Sequence, residues 1–139
     1  MREIEFRGKD KSTGKWVYGD LTHTMGVTDT GLRPRIMVAG YEVFEDSVGQ
    51  LVKNFHGNKF YEGDIAVTND KDEPIHVILT WIKQNAMFAW LTVDEYIDYH
   101  HSGSIDIDNT MFWTYAFDDD SVKDIRVIGN VFDNKDLLK

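Results

Sequence analysis

Ile75-His76-Val77-Ile78-Leu79-Thr80-Trp81-Ile82 and Met87-Phe88-Ala89-Trp90-Leu91 are two strongly apolar runs, separated by the polar connection Lys83-Gln84-Asn85-Ala86. Runs this short, rich in β-branched and aromatic side chains and bounded by polar residues, read as buried strands. A connection of four residues suits a hairpin. The two runs are therefore expected at the centre of the core. Thr92-Val93-Asp94-Glu95 follows directly and fits a capping box, in which a threonine hydroxyl and a glutamate three residues on satisfy each other's orphan amides. It predicts a short helix over Val93–His101, ended by Ser102-Gly103-Ser104.

Toward the N-terminus, Ile4 and Phe6 alternate with charged residues, as in a half-buried strand. Lys9-Asp10-Lys11-Ser12-Thr13-Gly14 reads as a turn, and Lys15–Leu21 supplies the returning strand. Residues 22–34 mix threonine, glycine, aspartate and one proline without a steady period, which predicts a loop or a weak hairpin. Short strands are expected at Arg35–Ala39, Tyr41–Phe44 and Ser47–Val52. Turns are expected at Gly57-Asn58 and at Gly63-Asp64, the latter opening the apolar segment Ile65-Ala66-Val67.

Beyond the helix, Met111–Phe117 and Ile125–Phe132 read as strands, with Asp118-Asp119-Asp120-Ser121 as a turn between them. The sum predicts a mainly β chain with one or two short helices, α+β in class, its antiparallel sheet curling into a small barrel beside an N-terminal hairpin region. No repeat of fixed period and no linker divides the chain, so residues 1–139 are expected to form a single domain. The alternative division is an N-terminal hairpin region at 1–46 and a barrel-like core at 47–139.

Apolar residues make up 42% of the chain and aromatics 13%, enough to build a core at 139 residues. The absence of cysteine excludes disulfides, thiolate nucleophiles and cysteine-bound metals together. The N-terminus alternates charge with apolar side chains instead of carrying a signal-peptide run, and nowhere do 18 apolar residues follow one another. No membrane association is expected, and the cytoplasm is the expected compartment. Net charge is −9, with 13 acids and 11 bases in residues 1–91 but 11 acids and 4 bases in residues 92–139. Binding to a phosphate backbone depends on lysine and arginine displacing counterions, so direct nucleic-acid binding is not expected.

On a helix Asp94, Asp98 and His101 share one face, at i, i+4 and i+7, and offer oxygen and nitrogen ligands to a divalent cation. A solvated helix face explains the same pattern, because two of the three are acids and no HExxH motif is present. Asp106-Ile107-Asp108-Asn109 lacks the glycine and distal glutamate of a calcium loop, and Asp118-Asp119-Asp120 fits an exposed turn. There is no G-x-S-x-G, phosphate-binding loop or dinucleotide fingerprint. Trp81, Trp90 and Trp113 suggest a stacking platform for single strands, but all three lie in runs apolar enough to be core. Arg2, Arg7, Lys9, Arg33 and Arg35 are the one candidate basic patch. No catalytic residue and no cofactor is assigned.

Three segments resemble the YopX family of phage and prophage proteins. The first is Arg2-Glu3-Ile4 and Phe6-Arg7-Gly8-Lys9, followed by Thr13-Gly14-Lys15-Trp16-Val17-Tyr18-Gly19-Asp20-Leu21. The second joins Val48-Gly49-Gln50 to Tyr61-Glu62-Gly63-Asp64-Ile65, and the third is Val127–Asn134 closed by Leu137-Leu138. Between Gln50 and Tyr61 the chain departs from the family's longer lysine-rich turn. The resemblance implies a mostly β fold, an origin in phage or prophage DNA, and self-association. The matched residues also make sense as structure, since Trp16 and Tyr18 share a strand face and Asp64 is placed to accept amide hydrogen bonds. The expected function is that of an accessory protein acting by self-association and by binding a host or phage protein. One alternative is an acidic mimic of nucleic acid that occupies a host DNA-binding protein. The other is a small metal-dependent hydrolase or nuclease, which would need convergent carboxylates or histidines.

Overall fold

The computed structural model of the chain describes residues 4–55, 57–68, 74–110 and 125–138. The chain is mainly β, with antiparallel strand pairs and, among the described residues, one α-helix and several 3-10 turns, which is the expected class. It clusters into two compact units, residues 1–51 and 52–139. No helix among the described residues is long and apolar enough to cross a membrane.

In the first unit β1 (Phe6–Lys9) pairs antiparallel with β2 (Trp16–Gly19) and with the opening residues of β6 (Gly49–Phe55). The expected turn between β1 and β2 is tied by the Asp10 carboxylate, which accepts from the Ser12 amide at 2.9 Å and the Thr13 hydroxyl at 3.0 Å. Ile4, expected inside the first strand, lies ahead of it and is exposed. A local reason is that β6 pairs with β1 only at Phe6 and Arg7. Residues 22–34, expected as a loop or a weak hairpin, take the hairpin alternative. They belong to a long regular hairpin of β3 (Leu21–Thr28) and β4 (Gly31–Val38), paired at every position from Leu21↔Val38 to Thr28↔Gly31. A tight turn to the two-residue β5 (Tyr41–Glu42) follows, with Ala39 and Gly40 both at positive φ. That is the backbone twist a two-residue hairpin turn requires.

In the second unit a sheet runs in the order β10-β9-β8-β11, from Met87–Thr92, His76–Ile82, Asp64–Thr68 and Ile125–Asn130. The two apolar runs pair as β9 and β10 in full register, Ile82 opposite Met87 and Val77 opposite Thr92. Alternation then gives the sheet two apolar faces. One face buries Ala66, Val77, Leu79 and Trp90 with Phe60 and Ile125, and the other buries Ile82, Ala89 and Leu91 with Ile107. The helix α1 (Val93–Ser102) lays Tyr96 and Tyr99 on this second face. Its capping box is present, with the Glu95 amide donating to Thr92 Oγ1 at 3.3 Å and the Thr92 amide to Glu95 Oε1 at 2.9 Å. Gly103 closes it at φ 76°, a conformation that costs glycine nothing. β7 (Asn58–Tyr61) returns beside the later part of β6.

The turn at Glu62-Gly63 holds this unit together. Gly63, at φ 92°, donates its amide to the Leu79 carbonyl at 2.8 Å, and its carbonyl accepts from the Val131 amide at 2.9 Å. Asp64, buried, accepts from the Tyr61 amide at 2.8 Å. Asp64 therefore acts as the turn residue expected of it. The expected strand at Met111–Phe117 and the turn at Asp118–Ser121 lie outside the described residues.

Candidate interaction surface

The β3–β4 hairpin has two chemically distinct faces, and their order follows from its register. Residues directly opposite in an antiparallel pair share a face. Leu21, His23, Met25 and Val27 therefore lie with Val38, Ile36, Pro34 and Leu32 on one face. Thr22, Thr24, Gly26 and Thr28 lie with Met37, Arg35, Arg33 and Gly31 on the other. β5 extends both, placing Tyr41 beside Val38 and Glu42 beside Met37.

The polar face is tied together at Glu42. Glu42 accepts two hydrogen bonds from the Arg33 guanidinium, at 2.9 and 3.0 Å, and one from Lys11 Nζ at 3.0 Å. These bonds, with Arg33 the larger contributor, lower the Glu42 carboxyl to about 2. The Arg35 stem crosses Gly26 so closely that a Cβ there would meet its Cδ at 2.8 Å.

The apolar face opens to solvent toward the tip. Val38 at the base is fully buried, whereas at the tip Val27 is 86%, Leu32 66% and Met25 55% exposed; Tyr41, beside Val38 on β5, is 54% exposed. Scattered exposed apolar residues are ordinary, but three grouped at the tip of one sheet face, with Tyr41 on the same face, are of the kind that marks an interface. Sequence reading missed this surface because three threonines, a glycine and Pro34 interrupt the hydrophobic count. The period-two signal was still present in Leu21, Met25 and Val27 and again in Leu32, Ile36 and Val38.

The residues singled out from sequence are dispersed. Asp94, Asp98 and His101 are all exposed along α1. Among the described residues no group of three or more histidines, aspartates or glutamates is placed to hold a metal ion. Asp106 accepts from Asn109 Nδ2 at 2.7 Å within a 3-10 turn, while Asp118-Asp119-Asp120 lie outside the described residues. Trp90 is buried, edge-on to Phe60 with ring centroids 6.0 Å apart. Trp81 is not the core residue expected, since it stands exposed against Phe88 at 4.9 Å. It sits one residue from the strand end, where alternation carries its side chain past the buried row of Leu79 and Val77. Trp113 is outside the described residues.

Three of the grouped basic residues have internal contacts. Arg7 is buried, with its guanidinium 5.0 Å from the centre of the Trp16 ring, and Lys9 approaches the same ring at 5.9 Å. Arg33 is bound to Glu42, and Arg2 lies outside the described residues. In the second unit a concavity of about 380 Å³ is lined by Lys59, Phe60, Ile125 and Arg126 among others, with no carboxylate or histidine among the described residues of its wall. Tyr96 has its pKa raised, first by burial and then by the nearby Glu62 charge.

A family model described as YopX protein matches residues 5–139, essentially the whole chain. No curated protein matches it.

Proposed function

This chain belongs to the YopX protein family, and on that footing we propose that it is a phage- or prophage-derived accessory protein acting by self-association and protein binding. The cytoplasm is its proposed compartment. One observation carries the reading: the apolar face of the β3–β4–β5 sheet, with Met25, Val27, Leu32 and Tyr41 in solvent while the polar face of the same sheet is tied down by Arg33 and Glu42. An amphipathic sheet ordinarily turns its apolar side inward, so a second surface is the natural cover for this one.

Light scattering over rising protein concentration tests it. The expected outcome is a mass above that of one chain, together with capture of other proteins from cells carrying the phage genes that weakens in Leu32→Lys. A mass of one chain at the highest concentration, with capture indifferent to Leu32→Lys, would overturn the reading.

A further inference from the structure

β3 also presents a backbone edge beside this face. The Asp20 carbonyl accepts from the Ala39 amide at 3.0 Å, and the pairing with β4 then runs without a register shift to Thr28↔Gly31. Backbone groups alternate sides along a strand. The even-numbered residues of β3 therefore turn their amides and carbonyls to β4, and Leu21, His23, Met25 and Val27 turn theirs outward. Among the described residues β3 pairs with β4 alone, which makes it an edge strand.

Natural edge strands are blunted by charge, proline or a bulge. Leu21–Thr28 has none of these over eight residues. In a chain of net charge −9, it is a stretch where two copies meet without opposing like charges. An antiparallel strand is also complementary to itself across a two-fold axis, the commonest symmetry of soluble oligomers.

We propose that β3 is the docking edge for a second copy of this chain, the two β3 strands pairing antiparallel about a two-fold axis at Met25. The proposal deepens the self-association reading and rests on it. The outward residues of the two strands then exchange hydrogen bonds, and the apolar face continues unbroken from one copy into the other. Met25 and Val27 of one copy come beside Met25 and His23 of the next. Leu32 on β4 and Tyr41 on β5 lie outside the pairing, so of the exposed apolar residues only Met25 and Val27 meet the second copy, a smaller contact than the ~800 Å² per partner of a standard interface. The hydrogen bonds of the paired edges therefore carry the contact, with Met25 and Val27 packing beside their counterparts across it.

Light scattering and non-reducing electrophoresis test the proposal. Val27→Lys puts a charge on a side chain already in solvent, and Met25→Pro removes an outward amide that β4 does not use. Each is expected to weaken dimerisation roughly tenfold or more. Because the chain has no cysteine, Met25→Cys should oxidise to a disulfide-linked dimer far faster than Asp46→Cys, placed on an exposed turn elsewhere in the same unit. If Met25→Pro loses its circular dichroism signal, the lysine and cysteine variants decide alone. A wild-type oligomer indifferent to Val27→Lys, with equal crosslinking at the two cysteine positions, would overturn the β3 edge and leave self-association through another surface. A wild type that is monomeric at every concentration would overturn both.

Discussion

At Glu42 the side-chain chemistry is strong enough to be read by titration. The carboxylate takes a two-pronged hydrogen bond from Arg33 and a third from Lys11, an arrangement that favours its ionised form. Its pKa falls from an ordinary 4.5 to about 2 in the folded chain. A group depressed on folding contributes its stability above the unfolded pKa and loses it as pH falls toward the folded one. Glu42→Gln is therefore expected to lower the melting temperature modestly at pH 7, the pair being solvent-exposed and screened. The gap between the two proteins should close as pH falls from 4.5 toward 2. Thermal melts at stepped pH measure it, and a gap that stays constant across that window would show that the ionised Glu42 contributes nothing. The pairing itself was not legible in the sequence. Arg33 and Glu42 are nine residues apart, and only the hairpin register and the turn at Ala39-Gly40 bring them onto one face. Gly8 was legible as part of a motif, yet its reason is tertiary: a Cβ there would meet Val43 side-chain carbons at 2.8–2.9 Å.

At the scale of elements, legibility followed local signals. The helix was readable because Thr92 and Glu95 stand three apart and Gly103 supplies its stop, all within one short segment. Strands β9 and β10 were readable because their apolar runs are unbroken. The second half of β4 was readable as the strand expected at Arg35–Ala39, but β3 and the start of β4 were read only as a loop or weak hairpin, since each is stabilised by pairing with the other and their outward faces hold threonine, histidine and proline where a buried strand would hold aliphatics. The metal candidates on α1 show the same limit, since spacing put Asp94, Asp98 and His101 on one face but could not supply the surrounding ligands. The helix cap gives a quantitative expectation. Thr92→Ala removes the hydroxyl that accepts the Glu95 amide and is expected to cost about 1 kcal/mol, whereas Thr92→Ser keeps the acceptor and should be close to neutral. Urea unfolding followed by circular dichroism separates them, and equal midpoints for the alanine and serine variants would mean that the cap contributes no stability. Tyr96 and Tyr99 lie on the sheet beneath this helix, so part of any loss should reach the second unit's core.

For the whole molecule, charge was the most legible property, and the structure sharpens its consequence. A net charge of −9 repels a polyanion at long range, and only a local concentration of lysine and arginine offsets it. Of the cations that sequence reading grouped, Arg33 is occupied by Glu42, and Arg7 is buried over Trp16 with Lys9 beside it. Each of these contacts uses a positive charge internally, where a nucleic-acid interface would present it to phosphate. Of the two described tryptophans proposed for base stacking, Trp90 is buried in the core and Trp81 packs tilted against Phe88. Fluorescence anisotropy with labelled single- and double-stranded oligonucleotides at low salt should therefore show binding weaker than ~10⁻⁴ M, below even ordinary non-specific affinity. A tighter complex whose affinity falls steeply with salt would reveal counterion release from a basic surface. The open apolar face would then have to share its role with a phosphate-binding one.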